Sequence, residues 1–411
     1  MSTPGRGRAY DAAYDAAYDV VVVGARVAGA STAMLLARAG ARVLVLDRSA
    51  YGSDTLSTHG LMRAGVLQLS RWGLLDRIVE AGTPAVRSTT FRSVGLEPVH
   101  VTIRPSEGVE ALYAPRRHLL DRVLVDAALE SGAEVRHGVR VTGLLRDGSG
   151  RVAGVRAVDR SGRESAVRAR HVVGADGIRS VVADAAGSAV LRRGRHASAV
   201  RYAYVEGLDA AGYEWAYGDG AGAGFIPTGD GLHCVFAATT PERLRTLRLG
   251  ERDDAGFLAT FRLAAPDQVE RLGDARRVGR LHGWAGAPGH LRQPWGPGWA
   301  LVGDAGYFKD PISTHGMTDA LRDAELAARA LLEVLGGGRS ERAALGEYHR
   351  RRDAVSHRLF EVADEISSYH WDGAGVQPLL RRMSAAMTDE VELLASLPTA
   401  PRREVAGGLV G

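Results

Sequence analysis

A buried strand that runs directly into a glycine-containing turn and a helix is the feature that most constrains the fold of this chain. Residues 20–23 are four consecutive valines, a pattern typical of a parallel strand buried on both faces. The turn GARVAG at 24–29 follows, and an Ala- and Leu-rich helix is predicted near 28–38. A second apolar strand, at 43–46, ends at Asp47. This order predicts a βαβ unit and therefore an α/β domain with a parallel sheet.

The turn is close to the fingerprint of dinucleotide-binding sites. Glycines permit a tight turn, free N–H groups at the helix start attract a pyrophosphate, and an acid after the second strand binds ribose hydroxyls. Arg26 stands where the fingerprint has its middle glycine, so its side chain must turn aside or supply charge to the pyrophosphate. We predict a dinucleotide site here; the alternative is a glycine-rich turn that binds nothing.

The remaining pattern predicts a nucleotide-binding domain that is interrupted by a β-rich region. A late buried strand in GPGWALVGDAG leads into a long helix that ends at three glycines, 336–338. We predict four units, which are a flexible tail (1–17), a composite nucleotide-binding domain (18–85, 105–185 and 282–340), a β-rich substrate domain (86–104 and 186–281) and a helical segment (341–411).

Composition limits the partners and the location of the protein. The net charge is +4, but arginines are spread along all 411 residues without a basic stripe, so we expect no nucleic-acid partner. No run of eighteen residues is apolar and uncharged, so we expect no membrane span, and the N-terminus shows no secretory signal. The single cysteine, Cys234, fits a reducing cytoplasm. We expect a cytoplasmic protein that binds a small molecule and no metal; the oligomeric state is not indicated.

A tetrapeptide, STHG, occurs at 57–60 and again at 313–316. Lys309, the only lysine of the chain, lies just before the second copy. We expect both copies to reach the same ligand. His59, His315 and Lys309 are candidates for proton handling or substrate orientation. The alternatives are that each histidine only shapes its loop and that Lys309 lies on a surface turn.

Two further motifs follow the fingerprint in order, GADGIRS at 174–180 and GDAGYFKDP at 303–311. Together with Arg117 in RRHLLD, they resemble the FAD-dependent monooxygenases of the para-hydroxybenzoate hydroxylase fold, especially actinobacterial relatives with DTLSTH and GDAGY-KDP segments. The resemblance covers roughly residues 18–335. It implies a Rossmann-like, GR2-type FAD-binding domain, an inserted and mostly antiparallel β substrate domain, and a C-terminal helical segment.

The resemblance also implies which residues contact the cofactor. It assigns the pyrophosphate to the glycine turn, the adenosine ribose to Asp47 and the ribityl chain to Asp304. It puts the start of a helix at Gly316 beside the pyrimidine edge of the flavin, where free N–H groups stabilise the anionic reduced ring. The cofactor-binding candidates are Gly24, Arg26, Ala28, Gly29, Asp47, Arg48, Arg117, Val141, Asp176, Asp304, Pro311, Gly316, Met317 and Thr318. Asp176, with Arg179, resembles the motif linked to FAD and NAD(P)H; the alternative is that Asp176 braces a turn.

The implied reaction is a monooxygenation. NADH or NADPH reduces FAD, O₂ adds at flavin C4a, and the hydroperoxide transfers one oxygen atom in a hydroxylation or epoxidation. The expected substrate is an apolar or aromatic small molecule of specialised metabolism, such as antibiotic biosynthesis. Candidate pocket walls on predicted strands are Tyr202, Tyr204, Trp215, Tyr217, Phe225 and His233. Their alternative role is ordinary core packing.

Other functions stay open. Flavin halogenases carry a W-x-W-x-I-P segment; this chain has Ile226-Pro227 in GAGAGFIPTGDG without the tryptophan pair. Geranylgeranyl-reductase relatives, which act as saturases or dehydrogenases, carry an aromatic signature before the proline that is also missing here. Outside catalysis, a flavin-binding protein with a structural or sensing role is an alternative.

Overall fold

A computed structural model describes residues 18–247 and 254–399. The predicted tail, 1–17, and the end of the predicted helical segment, 400–411, lie outside the described residues. The strands are β1 (Tyr18–Val23), β2 (Val43–Asp47), β3 (Ser88–Ser93), β4 (Val99–Thr102), β5 (Glu134–His137), β6 (Val139–Arg146), β7 (Val152–Asp159), β8 (Glu164–Gly174), β9 (Val190–Arg193), β10 (Ala199–Glu206), β11 (Tyr213–Gly218), β12 (Ala221–Pro227), β13 (His233–Thr239), β14 (Arg276–Trp284), β15 (His290–Arg292), β16 (Trp295–Gly296), β17 (Trp299–Leu301) and β18 (Tyr307–Phe308). The α-helices are α1 (Val27–Arg38), α2 (Arg63–Arg71), α3 (Leu75–Glu80), α4 (Arg117–Glu130), α5 (Val181–Ala186), α6 (Pro241–Thr246), α7 (Asp254–Ala264), α8 (Val269–Gly273), α9 (Gly316–Leu335), α10 (Glu341–Ile366) and α11 (Val376–Ser396).

The first sheet is built around β1 and has the order β16-β17-β8-β1-β2-β5. The pairs of β1 with β2 and with β8, and of β8 with β17, are all parallel. Val20 and Val22 pack into a core with α1, α4 and α9, whereas Val21 and Val23 pack into a core with β6 and β7. The run of valines is therefore explained by burial of both faces of the strand.

The second sheet has the order β14-β10-β13-β12-β11-β3-β4 and is antiparallel except where β11 runs parallel to β3. The two chain segments predicted to form the β-rich region therefore meet in one sheet, although β14 runs across the predicted boundary at 281. A three-stranded sheet, β18-β15-β9, completes the β structure of the described residues. The predicted fold class is confirmed: a Rossmann-like α/β domain, an inserted mostly antiparallel sheet and C-terminal helices.

The structure divides one helix that the sequence pattern predicts. The periodicity across AGVLQLSRWGLLDRI predicts one helix, but the structure has two, α2 and α3. Gly73, between them, has a left-handed φ of 72°, which ends α2. None of the described helices is both long and apolar enough to cross a bilayer.

Candidate cofactor and substrate site

A cavity of about 650 Å³ opens at the carboxyl ends of the parallel strands of the first sheet. Its walls come from the loops that follow β1, β2, β8 and β17, together with the beginning of α9. This edge is where open α/β sheets bind their ligands, and the volume lies in the range of small-molecule sites.

The glycine turn after β1 allows a close backbone approach at the cavity wall. Gly24 has φ 103°, and a Cβ there would lie 2.4 Å from the carbonyl oxygen of Ala175. A Cβ at Gly29 would lie only 1.8 Å from the carbonyl oxygen of Gly24. Gly24 and Ala28 line the cavity, whereas Gly29 lies behind the turn. Because no side chain caps α1, its first N–H groups are available to an anion.

Arg26 turns aside from the position of the fingerprint glycine. Its Nη1 donates to the carbonyl oxygen of Ser53, at 2.7 Å, and to Oδ2 of Asp121, at 2.8 Å. Its Nη2 donates to Oγ of Ser53. Arg26 also lines the cavity. The side chain therefore ties the glycine turn to the loop after β2 and to α4.

We expect Arg26→Ala to weaken FAD binding about tenfold, because the glycine turn loses two hydrogen bonds to Ser53 of the loop after β2 and one to Asp121 of α4. Isothermal titration of FAD into apoprotein measures this change. The control is Arg77→Ala, which removes an exposed ion pair with Glu130 of α4 and which we expect to leave the affinity unchanged. Unaltered FAD affinity in Arg26→Ala would contradict a role of Arg26 in the site.

Asp47, Arg48 and Arg117 also lie on the cavity wall. Asp47 accepts hydrogen bonds from the backbone N–H of Ala25, at 2.7 Å, and of Ser49, at 2.6 Å. Arg117 forms an ion pair with Asp121, the same carboxylate that Arg26 contacts. Asp47 therefore braces the glycine turn, and Asp121 links two arginines of the wall.

The GADGIRS motif contributes Asp176 and Arg179 to the cavity wall, and Val141 of β6 lies beside it. Oδ1 of Asp176 accepts a hydrogen bond from Oγ of Ser180, at 2.5 Å, and Oδ2 accepts one from the N–H of Val182, at 3.1 Å. Burial raises the pKa of Asp176 despite these bonds. The turn-bracing role weighed from the sequence is thus present, and the residue also faces the cavity.

The GDAGYFKDP motif and the start of α9 form the opposite wall. Asp304, Pro311, Gly316 and Met317 line the cavity there. Burial raises the pKa of Asp304 to about 6. Thr318 does not line the cavity; its Oγ1 accepts a hydrogen bond from the N–H of Met62, at 3.3 Å, and so ties α2 to α9.

The two STHG loops touch each other and share the cavity. A Cβ at Gly60 would lie 2.3 Å from Cγ2 of Thr314, so the glycine of the first copy packs against the threonine of the second. His59 and His315 both line the cavity. Nε2 of His59 is hydrogen-bonded to Oη of Tyr204. Burial, with Arg116 and Arg117 nearby, holds the pKa of His59 well below its usual value, so this imidazole is neutral at pH 7.

Lys309 is buried in a network of charges instead of lying on a surface turn. Its Nζ pairs with Oδ2 of Asp319, and burial lowers the pKa of Lys309 to about 7. Arg322, fully buried, pairs with Asp319, Asp323 and Glu390. The sequence analysis missed four residues of this network. Asp319, Arg322 and Asp323 lie on α9 within the amphipathic helix pattern. Glu390 lies on α11, and no local signal in the sequence connects it to the site.

The predicted substrate walls lie on two opposite faces of the second sheet. Tyr202, Tyr204, Trp215 and Tyr217 pack on one face; Phe225 packs with Phe257 and Phe261 on the other. His233 points to the same face of the sheet as Phe225, and it is hydrogen-bonded to the carbonyl oxygen of Ala210. The structure therefore places Phe225 and His233 away from the cavity. Side chains alternate between faces along a strand, and the sequence does not say which face a ligand meets.

A second, much smaller cavity, of about 30 Å³, adjoins the first. The two share walls at Thr58, Val200, Pro311 and Thr314. The remaining walls of the small cavity are mostly apolar: Trp215, Ala216, Tyr217, Gly222, Ala223, Phe236, Ala238 and Ile312. Tyr202 lines the large cavity. Tyr204 does not line it but is hydrogen-bonded to His59, which does.

Comparison with known proteins gives the family. The FAD binding domain family matches residues 17–233. Aklavinone 12-hydroxylase DnrF of Streptomyces peucetius is 31% identical over 379 residues, which cover 84% of this chain and 73% of that protein. The chain belongs to the FAD-dependent monooxygenase family of the para-hydroxybenzoate hydroxylase fold.

Other members of this flavoprotein group carry different reactions in their names. Digeranylgeranylglycerophospholipid reductase 2 of Methanopyrus kandleri is 28% identical over 373 residues, 85% of each chain. The structure of the myxobacterial chondrochloren halogenase CndH, an FAD-dependent halogenase, matches with a TM-score of 0.76 and 27% identity over 92% of this chain and 91% of that chain. These relatives support the conclusion that the chain is an FAD-dependent oxidoreductase, but they differ in reaction type.

The residues at the cavity fit FAD. Gly24 and Gly29 let the turn pack against the carbonyl oxygens of Ala175 and Gly24, which keeps the start of α1 at the cavity, where its N–H groups could meet a pyrophosphate. Two helices, α1 and α9, begin at the cavity without a side-chain cap. A Cβ at Gly316 would meet nothing within 4 Å. Helix starts of this kind bind anionic groups, which are the phosphates and the reduced ring of a flavin.

Proposed function

We propose that the protein is an FAD-dependent monooxygenase that inserts one oxygen atom into an apolar or aromatic small molecule. FAD is held by those assigned cofactor-binding residues that line the cavity, and it activates O₂ when it is bound and reduced by NADH or NADPH. The hydroxylase named above, similar over most of the chain, supports this reaction type.

The observation that carries the proposal is the apolar wall beside Pro311, where the large cavity adjoins the small apolar one. Trp215, Tyr217 and Phe236 form the aromatic part of this wall; Trp215 and Tyr217 are buried, and Phe236 is partly buried. The family pattern puts the flavin ring beside Pro311, so a substrate in the large cavity near Pro311 would meet the ring next to this apolar wall, which limits the access of water. Exclusion of water protects a reactive oxygen donor from side reactions.

A second candidate is reduction or dehydrogenation of an apolar chain without oxygen insertion. The similarity to digeranylgeranylglycerophospholipid reductase 2 favours it, since the apolar walls also suit an alkyl or isoprenoid group. Halogenation ranks third, because the tryptophan pair before Ile226-Pro227 is missing although CndH has a similar fold.

The decisive experiment is a screen of apolar and aromatic compounds with holoprotein, NADH or NADPH, and ¹⁸O₂, analysed by mass spectrometry. A product that gains one labelled oxygen atom supports monooxygenation. An unlabelled change of two hydrogens supports the reductase candidate instead, and a product that requires halide supports halogenation. Oxidation of NADPH without an added reductase would show that the chain accepts electrons directly.

A further inference from the structure

The carboxylate of Glu390 extends the cofactor site to the C-terminal helix α11. His315 Nε2 is hydrogen-bonded to Oε2 of Glu390, and Arg322 Nη1 donates to Oε1 at 2.9 Å. Both His315 and Glu390 are 1% exposed. Glu390 lies outside the segment that the FAD binding domain family matches, residues 17–233. An acid from a distant helix thus contacts a residue of the cavity wall.

The charges around this pair decide which partner holds the proton. Burial alone would raise the pKa of Glu390, but His315 and Arg322 outweigh it and lower the pKa. Burial lowers the pKa of His315, although Glu390 opposes the effect. Because Arg322 donates to the other oxygen of the same carboxylate, Glu390 accepts from His315, and the proton of the imidazole resides on Nε2.

The other ring nitrogen of His315 is left as an acceptor. Nδ1 is buried and has no hydrogen-bond partner among the residues that the structure describes. A buried acceptor without a partner costs free energy, which a donor on a bound ligand removes. His315 lies in the cavity wall next to Gly316, where the start of α9 faces the cavity.

We propose that Glu390 is a positioning residue for the cofactor site. It holds the proton of His315 on Nε2, so that Nδ1 accepts a hydrogen bond from the ring N–H of oxidised flavin. The role is analogous to that of any carboxylate that fixes the tautomer of a histidine through its far nitrogen. The inference rests on FAD binding, which the family supports, and not on oxygen transfer.

A metal ion is the competing explanation for this cluster. His315, Asp319 and Glu390 place one ligand atom each within 4.8 Å of one another. Lys309 and Arg322 already pair with Asp319, and Arg322 also pairs with Glu390. The carboxylates are thus already paired with side chains, and a divalent cation at this position would lie against the buried guanidinium of Arg322 and the amine of Lys309.

A double-mutant cycle tests the proposal with FAD alone. Glu390→Gln keeps the shape of the side chain and removes its charge. His315→Gln keeps a donor near the position of Nε2 and removes Nδ1. We expect each change to weaken FAD binding by about fivefold to tenfold, the cost of one hydrogen bond. Because Glu390 acts through His315, the double variant should bind FAD no more weakly than His315→Gln alone.

Two results would overturn the proposal: wild-type FAD affinity in Glu390→Gln, or losses that add in the double variant. Arg358→Met is the matched control, because it removes an exposed ion pair between α10 and α11 without touching the cluster. Its FAD affinity should equal that of the wild type, which separates positioning from general loosening of α11.

The tautomer is measurable in the unmodified holoprotein, so the proposal stays testable if a variant fails to fold. The protein is labelled with ¹⁵N in its 13 histidines, and His315 is assigned from spectra of wild type and His315→Gln. If His315→Gln is the variant that fails, the resonance is assigned from Glu390→Gln, which changes the partner of His315 Nε2. We expect a neutral ring with the proton on Nε2 and a bare Nδ1 whose signal moves when FAD binds. A proton on Nδ1, or a doubly protonated ring, would rule the proposal out. No substrate or O₂ is involved, so failure of the oxygen-transfer proposal leaves this result intact.

Discussion

Gly29→Ala is expected to yield a folded protein that binds FAD at least ~100-fold more weakly. The added Cβ would lie 1.8 Å from the carbonyl oxygen of Gly24. Because this oxygen belongs to the backbone, the clash cannot be relieved by moving a flexible side chain. A clash of this kind costs about 3 kcal/mol or more, and each 1.4 kcal/mol is a factor of about ten in affinity. The start of α1 shifts, and the N–H groups that face the pyrophosphate shift with it.

The visible flavin absorbance of purified protein, relative to its protein absorbance, measures the loss, and titration of apoprotein with FAD gives its size. Gly346→Ala is the matched control, since a Cβ there makes only ordinary contacts, the nearest at 3.7 Å, in the interior of α10. That change should retain FAD and raise the free energy of unfolding by about 0.5–1 kcal/mol, because alanine favours the helix. A fully yellow Gly29→Ala protein would show that the turn does not hold the cofactor.

Arg322→Met is expected to lower the free energy of unfolding by about 3–5 kcal/mol. Arg322 is fully buried and pairs with Asp319, Asp323 and Glu390. Methionine fills much of the same volume but leaves Asp323 and Glu390 with a much weaker counter-charge. An unpaired buried charge is the costly outcome when one partner of a buried ion pair is removed.

Urea denaturation of holoprotein at fixed excess FAD measures this effect. Arg358→Met is again the control, because its ion pair with Asp389 is exposed and such pairs contribute about 1 kcal/mol or less. If both variants lose the same small amount, the cluster does not hold α9 and α11 together. Since Gly303 donates to Asp323 at 3.1 Å, we also expect the Asp304 loop to loosen in Arg322→Met.

The two predictions concern two parts of the site, the glycine turn and the charged cluster, which are assembled in different ways. The glycine turn is local: its residues follow one another in the chain, and the clash at Gly29 involves a partner five residues away. The charged cluster is assembled from the loop before α9, from α9 itself and from α11, so its stability depends on packing of the helices. A change in the turn should therefore affect mainly the cofactor, whereas removal of Arg322, the central charge of the cluster, should affect the whole fold.

Several features of the site follow from the sequence because their signals are short-range. The four valines of β1, the turn at 24–29 and Asp47 at the end of β2 predict the parallel sheet and the helix start that faces the cavity. The repeated STHG loops were expected to share a ligand, and the structure brings Gly60 against Thr314 at the cavity. These predictions need only strand order and the rule that parallel strands end at the same edge.

What only the tertiary structure decided is which side chains meet across long distances in the chain. Tyr202 and Trp215 lie on one face of the second sheet and Phe225 lies on the other. Because both faces are buried, the sequence pattern does not indicate which face meets the ligand. Asp319 and Arg322 belong to an ordinary amphipathic pattern, and Glu390 is 75 residues from His315. The sequence by itself thus determined the sheet, the glycine turn and the FAD-binding class, because these depend on local backbone chemistry. The partners of Lys309 and His315 were decided by helix packing, which brings buried charges together only where they neutralise one another.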